Sequence, residues 1–301
     1  MSFLTSLFTA DGFLGPFLRI ASYVVLAPLV GGLLAGLDRK VTAWMQGRVG
    51  PPIIQPFYDV RKLLQKENIA VNRFQNFFVF LFLLFMVFTG SIFFLGAGFL
   101  VVVFSFTLAC LFFVFGGFSV RSPYGHIGAE RELIQMMAYD PMIILVAVGF
   151  YLAAGSFETR SIYQAGQNGI LIAYLPGILA GYLYILTIKF RKSPFDLSMT
   201  HHAHQEIVKG LSTEFSGKAL AAIEVAHWYE NVLLLGIIYL FFSFHPLIGV
   251  AAALGAYFLE VFIDNSYARF KWGLTLQSTW IFTLMAGVSN LVILHYLLTR
   301  R

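Results

Sequence analysis

Long apolar runs alternate with shorter polar ones along this chain, and the apolar runs have the length of membrane-spanning helices. A run of 18 or more apolar residues crosses a hydrocarbon core of about 30 Å as a helix. The pattern predicts eight spans, near 16–37, 75–96, 98–119, 141–155, 170–188, 231–243, 246–263 and 276–298. The fourth is short and is expected to begin earlier, inside the polar stretch before it. Gly96-Ala97-Gly98 and Phe244-His245-Pro246 read as tight reversals between antiparallel helices. The expected architecture is an all-α integral membrane protein, one polytopic domain over 1–301.

The polar stretches fall at about 38–74, 120–140, 189–230 and 264–275, all on the same side of that predicted bundle. In the first, Ile53, Ile54, Phe57, Val60, Leu63 and Leu64 share a helical face, and Asp59, Arg61, Lys62, Gln65 and Lys66 lie elsewhere. Pro56 suits the first turn of such a helix. The segment reads as an amphipathic helix lying in the interface plane. A basic anchor on anionic lipid is its plainest role.

Composition agrees. Apolar residues make up 58% of the chain and charged residues 12%, with a mean hydropathy of +0.78. A soluble domain carries about 25% charge. Of the 20 Lys and Arg, all but Arg19, Arg160, Arg300 and Arg301 belong to the polar side. Positive residues favour cytoplasmic loops, so the polar stretches are expected in the cytoplasm and both termini outside the cell membrane. This topology accounts for a pI near 9.3 without a nucleic-acid partner. The N-terminus lacks a basic n-region and a small-residue cleavage site, so the first span is expected to be retained. The single cysteine, Cys110, stands in an apolar run and cannot alone hold an iron–sulfur cluster or a structural zinc. The chain is expected to carry no redox centre or metal of its own.

Ionisable groups at membrane depth cost about 2.5–3.5 kcal/mol each and mark function. In the second polar stretch Glu132, Gln135 and Tyr139 share a helical face, and Asp140 abuts the apolar run 142–148. Glu130 reads as a solvated residue ahead of the span. The third stretch holds Pro194-Phe195-Asp196-Leu197, then His201, His202, His204 and Glu206, then Glu214. The histidines invite a metal, but adjacent His201 and His202 do not easily face one ion. Proton handling suits imidazoles and carboxylates better. Glu224, His227 and Trp228 lie on one face of the helix that follows, with Glu230 on another. Glu260 and Asp264 stand four apart and repel if both are ionised; a shared proton relieves this. The alternative is that Asp264 reaches solvent and pairs with Arg269 or Lys271.

Several of these segments together resemble the subunit 1 family of respiratory complex I. Asp38-Arg39-Lys40 through Arg48-Val49-Gly50-Pro51 resembles the family's Glu-Arg-Lys…Arg-x-Gly-Pro signature. Gly128-Ala129, Arg131, Gln135 and Tyr139-Asp140 resemble its Gly-Ala-x-Arg…Gln…Tyr-Glu segment. Pro194-Phe195-Asp196-Leu197 matches the loop that lines the family's quinone cavity, Thr213-Glu214-Phe215 resembles that loop's closing Val-Glu-Tyr, and Arg269-Phe270-Lys271-Trp272 resembles its Arg-Phe-Arg-Tyr. The matches run in order over 38–272. The His-rich loop, Glu224…His227-Trp228-Tyr229-Glu230, Gly273 and Asp264 depart from the quinone branch toward the membrane subunit of group 4 [NiFe] hydrogenases and formate hydrogenlyases.

The resemblance implies a subunit of an ion-translocating hydrogenase or oxidoreductase. A large subunit with a NiFe centre, a small subunit with iron–sulfur clusters and antiporter-like membrane subunits would be its partners. Ferredoxin, or formate through a dehydrogenase module, would supply electrons, and H+ or Na+ would be the pumped ion. Asp38, Arg39, Arg131, Asp140, Asp196, Glu206, Glu214, Glu224, Glu230, Glu260 and Asp264 become candidates for a proton or coupling relay. Arg48, Pro194, Phe195, His201, His202 and His204 become candidates for partner docking. A quinone-site subunit and an autonomous secondary transporter are the rival readings.

Overall fold

A computed structural model describes residues 14–67, 69–70, 72–198 and 209–299. The candidates Glu206, His201, His202 and His204 lie outside the described residues. Those described form an all-helical bundle. α1 runs Leu14–Met45, α2 Gln55–Gln65, α3 Arg73–Leu95, α4 Phe99–Phe118 and α5 Pro123–Ala154. Then come α6 Thr159–Gln167, α7 Ile170–Tyr174, α8 Pro176–Lys189, α9 Gly217–Phe241, α10 Pro246–Ser266, α11 Trp272–Phe282 and α12 Ser289–Thr299.

Seven helical stretches among the described residues are long and apolar enough to cross a membrane, with α11, a π turn over Thr283–Val288 and α12 counted as one. The fifth predicted span, 170–188, is not among the seven and is built from two pieces. Pro176 has no N–H to continue the ladder, and the chain bends at Leu175, where φ is −120° and ψ is 39°. The ladder resumes at once, since Leu175 N bonds to Leu171 O and Leu179 N to Leu175 O, each at 3.0 Å. The protein is a multi-pass membrane protein. The fourth span starts at Pro123 and continues through Pro141. Residues 123–140, assigned to a polar stretch from the sequence, are therefore the lower half of a long helix.

Helix ends follow local chemistry. Asn72 caps α3 by accepting from Phe74 N at 3.3 Å, and Gly96 ends it in the left-handed region with φ 88°, a conformation costly for other residues. The α3–α4 reversal is strapped by the α5–α6 connection: Phe99 N bonds to Phe157 O at 2.6 Å and Thr159 N to Ala97 O at 2.9 Å. α4, α5 and α9 are the most buried spans, and α1, α10 and α11–α12 turn large apolar side chains outward. Stacked, edge-on and tilted ring pairs, Phe82–Phe113, Phe99–Phe150 and Phe150–Phe241, fill the centre.

One end of the bundle gathers the end of α1, the start of α5, the end of α8, the start of α9, the end of α10 and the start of α11. Two glycines permit close contact there. A Cβ on Gly36 would lie 1.8 Å from Ile53 O, and one on Gly128 would lie 2.3 Å from Leu211 N. α2 docks between α1 and α9 at this end.

Candidate functional site

The segment leaving α8 carries Lys189, Arg191 and Lys192; the first two meet at Glu230, and Lys192 pairs with other acids. Lys189 and Glu230 are both almost fully buried, with Nζ 3.8 Å from Oε1. Nζ also donates to Cys110 Sγ at 3.3 Å and sits over the rings of Phe106 and Tyr139, 4.0 and 3.9 Å from their centroids. An ammonium taken out of water is held here by π faces, a sulfur and a carboxylate.

Arg191 bridges two spans. Its Nη2 donates to Glu132 Oε1 of α5 at 3.0 Å and its Nη1 to Glu230 Oε2 of α9 at 3.2 Å. Burial alone would lower its pKa, but Glu132 and Glu230 outweigh that and hold it above its ordinary value. Ser198 donates to the other oxygen of Glu132. His227 Nδ1 lies 3.0 Å from Glu230 Oε2 and 3.4 Å from Arg191 Nη1. The shorter contact is a hydrogen bond when Nδ1 carries the proton, a tautomer assigned from this geometry. The imidazole edge packs on Phe82 and Phe113.

Lys192 turns the other way. Its Nζ donates to Asp38 Oδ2 of α1 at 2.5 Å and to Asp264 Oδ2 of α10 at 3.3 Å. Ser193 N donates to Asp264 Oδ1 at 2.8 Å. Burial would lower the Lys192 pKa, and the two aspartates outweigh it and raise it. Glu260, one helical turn before Asp264, is 1% exposed, and neither of its carboxyl oxygens has a hydrogen-bond partner among the described residues.

Beyond Ser193 the loop is pinned at several points. Pro194 O accepts from Phe270 N at 3.0 Å, and Phe195 packs edge-on to Tyr184 and Phe270. Asp196 pairs with Arg269, Gln135 donates to Phe195 O, and Arg131 donates to Leu197 O at 3.4 Å. Burial pushes the Asp196 carboxyl up to about 6, against the pull of Arg269.

The match to a family model described as NADH dehydrogenase covers residues 18–295, nearly the whole chain. The chain belongs to this NADH dehydrogenase family. A membrane-complex relative, an NADH-quinone oxidoreductase component of Aquifex aeolicus (strain VF5), is 29% identical over 74% of this chain and 74% of its own length. Hydrogenase-4 component C of Escherichia coli (strain K12) is 30% identical over 72% of this chain and 71% of its own. A solved structure described as the membrane-bound sulfane sulfur reductase (MBS), an archaeal respiratory membrane complex, contains a chain that superposes with a TM-score of 0.81 at 25% identity, covering 92% of this chain and 99% of that one. The protein is a membrane subunit of the complex I-like and hydrogenase-like class of energy-converting complexes, whose members are oxidoreductase assemblies.

Within this family member the candidate residues divide by place. Asp38 and Asp264 meet through Lys192, and Glu230 meets Glu132 through Arg191. Asp264 thus pairs with Lys192 rather than with Arg269 or Lys271. It shares no hydrogen bond with Glu260 among the described contacts. Arg39 pairs with Asp59 at 2.5 Å on the surface. Burial there would raise the Asp59 pKa, but Arg39 and Gln55 outweigh it and lower the value. Arg48 donates to Gln46 at 2.9 Å, also exposed. Asp140 has one buried oxygen without a partner among the described residues. Glu214 and Glu224 are half-buried and stand apart from the buried networks, Glu224 in a surface cleft with Trp228.

Sequence reasoning put His227 and Glu230 on different faces of α9, and the structure puts them in contact. Residues three apart on a helix are neighbours. It also passed over Lys189, Arg191 and Lys192 as site residues because their charge was read only as a sign of topology. A signal was present: Lys189 follows an apolar run directly, with no polar turn to carry it into water.

Proposed function

We propose that this chain anchors a [NiFe] hydrogenase-type module to the membrane and couples its electron transfer to H+ or Na+ translocation by antiporter-like subunits. The observation that supports this most is the buried charge line in which Lys189, Arg191 and Lys192 tie acids of α1, α5, α9 and α10 to one loop. Burial leaves such interactions little screened. A change of charge beside Pro194–Ser198 is therefore felt at Glu132 and Glu230 on one side and at Asp38 and Asp264 on the other. Coupling of this kind is a free energy shared between sites.

In this reading Asp38, Asp140, Asp196, Glu206, Glu214, Glu224, Glu230, Glu260 and Asp264 pass protons or electrostatic strain sideways, with Arg39 and Arg131 holding the flanks. Arg48, His201, His202 and His204 form the docking face, and Pro194 and Phe195, which are buried, brace the loop instead of touching the partner. Large and small hydrogenase subunits sit there from the cytoplasm with the NiFe centre and iron–sulfur clusters, fed by ferredoxin or a formate dehydrogenase module. Both termini face outward, as the bias of Lys and Arg implies.

The relatives are named for three different terminal reactions, of quinone, of hydrogen and of sulfane sulfur. That diversity on one membrane architecture supports coupling, rather than the redox step, as the task of this chain. The second reading, a quinone-site subunit, draws on the NADH-quinone oxidoreductase relatives; in it the Pro194–Leu197 loop lines the quinone cavity. Isolation of the native complex decides between them. Nickel, iron and hydrogen evolution in the same particle are expected. A nickel-free particle that reduces quinone sinks the hydrogenase reading, and ion transport by the purified chain alone would replace both with a transporter.

A further inference from the structure

Where α2 docks against α1 and α9, a cleft of about 260 Å³ opens, and its chemistry is two-faced. Leu63, Leu220 and Trp228 supply an apolar floor, and Lys62, Lys66 and Lys209 stand on its rim. The Arg39 and Asp59 charges in the same cleft cancel each other at 2.5 Å. The three lysines are exposed and have no ion pair among the described residues, and Glu224 is the remaining acid. The rim therefore sets three ammonium groups against one carboxylate. Lys66 also borders an adjoining cleft that holds Lys218 and one acid, Glu67.

We propose that this cleft binds the phosphate of an anionic phospholipid headgroup. The volume lies just below the range of about 300–1,000 Å³ that encloses a whole small ligand. It fits a headgroup whose acyl chains run out along the bundle. α2 presents exposed Leu64 as well as its basic side chains, and Ile54 just ahead of it is exposed too, the arrangement of a helix resting at headgroup depth. Basic pockets between helices at that depth recognise anionic lipids, each lysine adding a factor of about five in affinity. The apolar floor beneath the cations suits a diester carrying a glycerol better than a free ion.

The test uses the full chain with its co-purifying subunits in mild detergent, read by native mass spectrometry. The probes are phosphatidylglycerol, phosphatidylcholine of the same acyl chains, and inorganic phosphate. Phosphatidylglycerol is expected to stay bound where the other two leave, and to leave as salt rises. The Lys62→Gln, Lys66→Gln, Lys209→Gln triple variant is expected to lose about a hundredfold in that affinity. Arg121→Gln at the same end of the bundle is expected to lose none. If the triple variant unfolds, the single Lys66→Gln, with an expected loss of about fivefold, carries the test. Equal retention of both lipids, no loss in the variants, tight binding of phosphate alone, or cross-links from Lys62 to a subunit covering the cleft would each overturn the proposal.

Discussion

Arg191→Met is the substitution that asks most of the buried network. The Arg191 side chain is 10% exposed and Glu230 is 1% exposed, so its removal leaves Glu132 and Glu230 buried without the cation between them. Breaking a buried pair by deleting one partner costs about 3–5 kcal/mol, against about 0–1 kcal/mol for a surface pair. A shift of about 2–4 °C in Tm per kcal/mol puts the expected drop on the order of 10 °C. Arg39→Met removes a pair of the same type whose side chains are 45% and 39% exposed, and should move Tm by about 4 °C or less. Glu230→Gln keeps an acceptor toward Arg191, so it should cost less than Arg191→Met. The double variant should show a coupling of about 1–3 kcal/mol. Arg191 also holds a left-handed backbone with φ 52°, a conformation that costs a side chain about 1–2 kcal/mol. Arg191→Gly should therefore be milder than Arg191→Met. Thermal unfolding in detergent, followed by a thiol-reactive dye or by loss of the folded peak on size exclusion, measures all of these. Equal shifts for Arg191→Met and Arg39→Met, or additive Arg191 and Glu230 variants, would refute the idea that the network acts as a unit.

Further outcomes follow from the loop and its neighbours. The Asp196 carboxyl titrates near 6 in the fold against an ordinary 3.8, so between those values the folded state binds more protons than the unfolded one. Its contribution to stability therefore falls as pH rises from about 4 to about 6. Asp196→Asn should flatten that part of a Tm-against-pH curve. Glu260→Gln replaces a buried carboxyl whose oxygens lack partners among the described residues. It should change stability by about 1 kcal/mol or less while lowering ion transport by the intact complex in vesicles; unchanged transport would remove Glu260 from the relay. Gly128→Ala would place a methyl 2.3 Å from Leu211 N and should cost about 1–3 kcal/mol, visible as a lowered Tm and faster proteolysis after Lys209.

Most of the bundle was legible in the chain because lipid imposes a simple rule: backbone polar groups must be satisfied within each helix. Apolar length alone then locates the spans, and α3, α4 and α10 fall within a few residues of their predicted bounds. The misses have physical causes. Residues 123–140 read as polar, yet Glu132, Gln135 and Arg131 turn inward to Ser198, Phe195 and Leu197, and the backbone stays helical. The earlier start expected for the fourth span is found, at Pro123, which makes Pro141 an interior proline. In the site, Asp140, Glu230, Glu260 and Asp264 stood out because an acid beside an apolar run is rare, and Asp38 and Asp196 through motifs that resemble the family's. Their cationic partners did not, since a lysine at the end of a span is ordinary when it reaches water. The pattern signals that Lys189 lacks a polar turn to carry it into water, but it does not say that Glu230 is the partner it meets.

The turn after α8 explains how neighbouring residues serve opposite sides of the bundle. Lys192 N bonds to Thr187 O and Arg191 N to Ile188 O, each at 3.0 Å, the pattern that closes a helix through one left-handed residue. Glycine usually fills that position, and here it is Arg191. The left-handed step reverses the chain between Arg191 and Lys192. One guanidinium stays with α5 and α9 while the next ammonium reaches α1 and α10. A strained backbone persists only where its surroundings over-determine it, and the two ion-pair sets supply that constraint from both sides. In the proposed coupling, loosening either set would relax the turn and shift the other; Arg191→Gly, which removes the strain, is then expected to weaken ion transport by the intact complex in vesicles, and unchanged transport would refute that link.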